Sequence, residues 1–137
     1  MDERTMSPTE RTALDTLRTD VATWPDRWKI EQTDVAIGQR IVECLQPFLI
    51  DLRQHGLAEK TLARHRDHLD LLGGELIRRR YDDPDLARHP VRDVLGTLID
   101  AEGGPLIWPR ITEGAQNAFD GTCRKLYHFL NQPNDCG

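Results

Sequence analysis

The sequence predicts an all-α protein, a four-helix bundle with an additional short helix at its N-terminus. Apolar residues recur every three or four positions in successive segments, and no segment shows the alternation of apolar and polar residues typical of a strand. Capping residues and prolines stand where these segments begin, and glycines stand where several of them end. The chain has 137 residues, of which 38% are hydrophobic, so one core of ordinary size is expected.

Residues 1–33 are expected to form a short helix and a connector that contains two tryptophans. Ser7, Pro8 and Glu10 have the spacing of a capping box, with proline at the first helical position. The connector WPDRW, from Trp24 to Trp28, is expected to be a break in the helix. Its tryptophans are expected to fold back on the main body as a lid.

The main body, residues 34–132, is expected to hold four helices. The first is predicted to be capped by Asp34 and to end at Gly56, with a kink or a split at Pro47. The second runs from about Ala58 to Arg80, and its paired glycines at 73 and 74 predict either a bend or a close approach by another helix.

The third and fourth helices are separated from the second by a polar loop, residues 81–89. Pro90 is expected to open the third helix, and Gly103 and Gly104 to end it. Thr112 is expected to begin the fourth helix and Pro133 to end it, which leaves a tail at residues 133–137.

Composition restricts the function. A net charge of −5 argues against indiscriminate nucleic-acid binding, which depends on many lysine and arginine contacts with phosphate, but it allows a local basic surface. Three cysteines without close spacing are typical of reduced thiols. No apolar run is long enough to cross a bilayer, and the first ten residues are too polar for a signal peptide. We therefore expect a cytoplasmic protein without membrane contact.

Several residues in the first, second and fourth helices of the main body, and in the turn at Gly56, resemble those of a known family. These are Phe48-Leu49, Leu52, Gly56-Leu57-Ala58, Thr61-Leu62 and the segment FDGTCRKLYHFL from Phe119 to Leu130. The pattern is similar to that of the core-binding (SAM-like) domain of tyrosine recombinases and phage integrases. The resemblance covers about residues 34–132, which is most of the chain. It implies a SAM-like bundle that forms half of a clamp around double-stranded DNA, with its second and fourth helices near the major groove.

We expect no catalysis from this resemblance, because it covers the DNA-clamp domain and not the separate catalytic domain that does the chemistry in that family. His89 and Arg92 have the spacing of its His-x-x-Arg pair, and Tyr127 follows, but Pro90 suits a helix start and Tyr127 falls in the DNA-clamp helix. We therefore expect that the protein is not an enzyme. We expect it to bind DNA as an accessory or regulatory factor of a mobile element.

Basic residues are concentrated on the second helix, in a chain that is acidic overall. Lysines and arginines could neutralise phosphates or reach a guanine edge. The alternatives are a solvated helix face and contact with an acidic protein. The candidate DNA-binding residues are Lys60, Arg64, Arg66, Arg78, Arg79 and Arg80 on the second helix, and Arg124 and Lys125 on the fourth.

A second hypothesis is a helical protein-interaction module without nucleic-acid binding, such as an adaptor, an antagonist or an oligomerising scaffold. Leu71 falls on the basic side of the second helix and away from the core, so it is a candidate protein contact, together with Trp24 and Trp28. The partner would be a second copy, a recombinase or another protein. No cofactor or metal is expected, because His65 and His68 lack a nearby third ligand and His65 faces the core.

Overall fold

The computed structural model describes residues 7–132, and this part of the chain is helical with no strand. The all-α prediction is therefore confirmed. The predicted tail at residues 133–137, with Pro133 and Cys136, lies outside the described residues. The helices are α1 (Pro8–Ala22), α2 (Trp24–Trp28), α3 (Asp34–Gln54), α4 (Glu59–Asp82), α5 (Pro84–Ala87), α6 (Val91–Leu98) and α7 (Glu113–Leu130).

The N-terminal helix α1 begins as its capping residues predict. The Ser7 hydroxyl accepts a hydrogen bond of 3.1 Å from the Glu10 amide. The prediction of a break at residues 24–28 is wrong, because these residues form the short helix α2. Proline near its first turn suits a helix start, and the four-residue spacing puts Trp24 and Trp28 on one buried face, with ring centroids 5.5 Å apart.

Helix α3 differs from the sequence prediction at its N-terminus. Asp34 is its first residue rather than its cap, and the Asp34 carboxylate accepts hydrogen bonds from the amides of Ile30 and Glu31 in the preceding turn. The helix continues through Pro47, so of the two predicted alternatives, a kink or a split, the split is excluded. Pro47 is exposed, so water can satisfy the carbonyl that has lost its amide partner. Gly56 follows the helix with a φ of 79°, as expected for a C-terminal glycine.

Helix α4 is the central helix, and its paired glycines receive the indole of Trp28. A Cβ atom at Gly73 would overlap the Trp28 ring, and one at Gly74 would lie 3.4 Å from Trp28 Cδ1. Trp28 Nε1 donates to the Asp70 carbonyl at 3.0 Å and to Asp70 Oδ1 at 2.8 Å. Of the two predicted roles for the paired glycines, a bend or a close approach by another helix, the structure shows the close approach. The approaching helix is α2.

The segment between α4 and α7 contains a further short helix and an extended loop. Helix α5 lies within the predicted polar loop, where the Asp83 side chain caps it. Helix α6 ends at Leu98, earlier than predicted, because Ile99 adopts an extended conformation and is buried. A loop then runs to Thr112, whose hydroxyl caps α7 by accepting from the Ala115 amide at 3.0 Å.

One hydrophobic core joins both ends of the described chain. It includes Val21, Trp24 and Trp28 from α1 and α2, together with leucines from α3 and α4 and Phe119 and Leu126 from α7. Residues 7–33 therefore pack into the same core as the predicted main body. No helix within residues 7–132 is long and apolar enough to cross a membrane.

Candidate nucleic-acid interface

Five of the eight predicted DNA-binding residues are exposed. These are Lys60, Arg64 and Arg78 on α4, and Arg124 and Lys125 on α7. Within residues 7–132, no ion pair with a carboxylate engages them. Their charges are thus directed to solvent, where an anionic ligand could reach them.

Arg66 and Arg80 instead connect α4 to other parts of the fold. Arg66 Nε lies 3.2 Å from an Asp20 carboxylate oxygen and joins α4 to α1. Arg80 Nη1 lies 3.9 Å from Asp34 Oδ1 and joins α4 to the start of α3. Both side chains therefore face other helices of this protein, and they are less suited to contact DNA than the sequence predicts.

Arg79 is also engaged within the protein, in a cluster around Glu75. Arg79 Nε donates to Glu75 Oε1 at 3.0 Å, and Arg110 Nη2 donates to Glu75 Oε2 at 2.6 Å. Burial tends to raise the pKa of Glu75, but the hydrogen bonds from Arg110 and Arg79 more than offset it and leave the pKa below its ordinary value. Glu75 is thus a buried carboxylate shared by two arginines, and the cluster keeps a net positive charge.

Arg124 and Lys125 are neighbours in sequence but lie in different surroundings. Arg124 Nη1 donates to the Glu102 carbonyl at 2.9 Å, so it holds the loop that precedes α7. Lys125 lies close enough to His65 of α4 to help lower the pKa of that histidine. Only Lys125 therefore contributes to the surface shared by α4 and α7.

The clearest basic surface is formed by Lys60, Arg64 and Lys125. Lys60 and Arg64 are one helical turn apart on α4, about 6 Å along its axis. Arg64 of α4 and Lys125 of α7 each lie near enough to His65 to help lower its pKa, so both charges are close to the same histidine. Asp67 lies one turn beyond Arg64 and reduces this positive charge without cancelling it. We call these three cations the α4–α7 basic cluster.

Beneath this cluster, two histidines of α4 share one hydroxyl of α7. His65 Nδ1 lies 2.7 Å and His68 Nδ1 lies 2.6 Å from Thr122 Oγ1. A hydroxyl can donate to one imidazole and accept from the other, so both contacts are satisfied when the rings are neutral. Burial first, and then Lys125, His68 and Arg64, lower the pKa of His65 to about 4. Burial is also the main cause that lowers the pKa of His68.

This arrangement joins α4 to α7 through side-chain hydrogen bonds. Both imidazoles direct Nδ1 to the buried Thr122 hydroxyl. Over the part of the chain that the structure describes, no group of three or more His, Cys, Asp or Glu side chains is placed to hold a metal ion. His65 faces the core as predicted.

The predicted protein contacts differ from expectation. Trp24 and Trp28 are buried at 2% and 9% exposure against this chain's own helices, so they are not on the surface that a partner would meet. Leu71 is half-buried and packs at the edge of the core. The sequence pattern placed Leu71 away from the core, but Trp28 of α2 packs on the same side of α4 and partly covers that side.

Two apolar side chains on the loop before α7 are exposed, although the sequence patterns did not indicate them as candidate contacts. Leu106 is 64% exposed and Trp108 is 52% exposed, whereas Ile107 between them is buried. Three consecutive apolar residues between Pro105 and Pro109 are the sequence signal that could have revealed this surface, because an extended segment places successive side chains on opposite faces.

Gln116 of α7 holds this loop in place. The Gln116 side-chain oxygen accepts from the amides of Ile107 at 2.7 Å and Trp108 at 2.9 Å, while its nitrogen donates to the Pro105 carbonyl at 3.1 Å. Asp120 Oδ1 accepts from the same nitrogen and from the Gly104 amide. The loop is therefore anchored along its length, and the exposure of its apolar side chains is a fixed feature of the fold.

The comparisons with known proteins found no match among protein-family models, curated proteins or solved structures.

Proposed function

We propose that this protein binds double-stranded DNA through the outer face of α4, without catalysing a reaction, as the resemblance to integrase core-binding domains implies. The observation that carries the proposal is the α4–α7 basic cluster. Three exposed cations from two helices lie together, and no carboxylate pairs with them within residues 7–132. In a chain of net charge −5, such a cluster is the surface best suited to an anionic partner.

Binding would rest on the neutralisation of phosphates by this cluster. Arg78 would add a contact on the same side of α4, about 21 Å from Arg64 along the helix axis. Phosphate contacts release counterions, so four of them give a log–log slope of affinity against salt of about −3.6. A protein of this kind would serve a mobile element as an accessory or regulatory factor in the cytoplasm, acting with a recombinase or a second copy.

The test is fluorescence anisotropy of a labelled duplex titrated with the protein at several salt concentrations. The variant Arg64→Glu/Lys125→Glu reverses two charges of the cluster, and it should weaken binding at least tenfold and flatten the salt slope. Binding by the variant equal to that of the wild type would overturn the proposal.

A matched control reverses two exposed cations elsewhere in the fold. Arg40 of α3 and Arg92 of α6 are exposed, so Arg40→Glu/Arg92→Glu makes the same change in net charge. This control should retain most of the affinity. Equal losses in both variants would show that total charge, and not the cluster, determines binding.

A second candidate function is a protein-interaction module without nucleic-acid binding. The exposed apolar pair Leu106 and Trp108 favours it, because a rigid apolar projection suits a protein contact. Binding of this kind would depend little on salt, whereas DNA binding would weaken steeply as salt rises.

A further inference from the structure

The loop that carries Leu106 and Trp108 combines an exposed aromatic ring with a rigid backbone and nearby arginines. Gln116 fixes the amides of Ile107 and Trp108, so the backbone that carries the indole is held in place. Because an indole has only two side-chain torsions, little further ordering is needed for a flat ligand to bind against it.

Arginines surround this apolar pair and link it to α4. Arg79 Nη2 donates to the Leu106 carbonyl at 3.3 Å, and Arg110 follows two residues after Trp108. Arg78 and Arg110 line one shallow groove beside α4. The same groove is also lined by Arg27 and by the carboxylates of Asp67, Asp70 and Glu75. Arg27 pairs with Asp70, and Arg79 and Arg110 share Glu75, so four arginines face three carboxylates and leave a net charge of +1.

A flat apolar ring beside cations matches a nucleotide, which has a flat base and an anionic phosphate. Proteins that hold unpaired bases combine these two features, with aromatic rings that stack on bases and basic residues that follow the backbone. An acidic peptide would also satisfy the arginines. The nucleotide is favoured because this loop packs on the C-terminal part of α4, the helix whose outer face forms the proposed DNA surface.

We infer that Trp108 stacks on an unpaired DNA base, while Arg78 and Arg110 contact the adjoining phosphates. The inference rests on the proposed function and extends it to a substrate class. DNA with an unpaired segment, such as a gapped duplex, is preferred over an intact duplex. The α4–α7 basic cluster contributes affinity for both DNAs, and Trp108 accounts for the higher affinity for the gapped duplex.

Tryptophan fluorescence gives a direct test, because Trp108 is the exposed member of three tryptophans. Trp24 and Trp28 are buried, so acrylamide should quench mainly the emission of Trp108 in the free protein. A saturating gapped duplex with a four-nucleotide gap should quench the emission of Trp108 and protect it from acrylamide. An intact duplex should produce neither effect.

Anisotropy titrations with the same two DNAs provide the second readout. Trp108→Ala should weaken binding to the gapped duplex about tenfold, as expected for the loss of one stacked base, and change binding to the intact duplex less than twofold. Trp108→Phe keeps a ring and should retain most of the preference. Arg64→Glu/Lys125→Glu should weaken binding to both DNAs by similar factors.

The outcomes separate this inference from the proposed function. If the wild type binds both DNAs but Trp108→Ala changes neither affinity, the inference is overturned and the proposed function stands. If the wild type binds no DNA at low salt, both are overturned. If Trp108→Ala instead abolishes self-association seen by sedimentation, with DNA binding unchanged, the loop is a protein contact and the inference is overturned.

Unfolding of Trp108→Ala would not explain a loss of binding to the gapped duplex alone. Trp108 is half exposed, and its backbone bond to Gln116 is independent of the side chain. The far-ultraviolet circular dichroism and midpoint of urea unfolding of Trp108→Ala should therefore match those of the wild type.

Discussion

The indole of Trp28 occupies a slot on α4 that exists because Gly73 has no side chain. A Cβ at position 73 would overlap the ring, while the indole nitrogen donates to the carbonyl and carboxylate of Asp70 one turn earlier. Arg27 adds an ion pair of 2.6 Å to the Asp70 carboxylate. This contact joins α2 to the central helix and so integrates residues 7–33 with the rest of the fold.

Gly73→Ala should therefore destabilise the protein. The methyl group would force Trp28 out of its slot, and overpacking of this kind costs about 1–3 kcal/mol, against a gain of about 1 kcal/mol in helix propensity. We expect a net loss of up to about 2 kcal/mol in the free energy of unfolding, measured by urea denaturation.

The neighbouring glycine supplies the control for this prediction. A Cβ at Gly74 would lie 3.4 Å from Trp28 Cδ1, which is ordinary contact. Gly74→Ala should leave stability unchanged or raise it by up to about 1 kcal/mol through helix propensity. Equal destabilisation by both substitutions would contradict the proposed role of the slot.

Gln116→Ala should loosen the loop that carries Trp108. The substitution leaves the amides of Ile107 and Trp108 and the Pro105 carbonyl without their partner, at a cost of about 1–3 kcal/mol. Hydrogen exchange at those two amides should become faster. Asn117→Ala, at the exposed next position of α7, should change neither the free energy of unfolding nor the hydrogen exchange of these two amides.

Glu75→Gln should have opposite effects on stability and on DNA affinity. Loss of the buried charge weakens the contacts with Arg79 and Arg110, which are partly exposed, so the cost should be about 1–2 kcal/mol in urea unfolding. The same change removes a negative charge beside the arginines, so DNA binding should strengthen a few-fold. Glu113→Gln, on the exposed first turn of α7, is the charge-matched control. Loss of both stability and affinity would argue against a DNA contact near Arg110.

The two histidines that share Thr122 should make stability depend on pH. The pKa of His65 is about 4 in the folded protein and 6.5 for an ordinary histidine, so protonation favours the unfolded chain. This contribution is fully present above pH 6.5 and is lost as the pH falls toward 4. The lowered pKa of His68 acts in the same direction. From pH 7 to pH 5 we expect a loss of about 2 kcal/mol.

Urea unfolding across this pH range checks that prediction. The stability due to Glu75, whose pKa is lowered from 4.5, is lost mainly at lower pH, so the range from 7 to 5 isolates the histidines. His65→Gln should flatten the profile, and His128→Gln, at an exposed position of α7, should preserve it. An unchanged profile in His65→Gln would assign the pH dependence to other groups.

The sequence by itself determined the helical class and most helix positions. Ser7 and Thr112 cap helices through their own hydroxyls, Gly56 follows α3 with a positive φ, and Leu69, Leu72 and Leu76 are buried as their spacing predicts. These features depend on interactions within a few residues along the chain, so local patterns reveal them.

Only the tertiary structure determined which of the predicted surface residues are free to contact a partner. Helical spacing gives the direction of a side chain but not what packs beside it. Arg66 and Arg80 therefore looked equivalent to Arg64 until other helices brought Asp20 and Asp34 to them. The same reason explains why Trp28 is buried while Trp108 is exposed, since α4 offers a glycine slot to one and Gln116 holds the other outward.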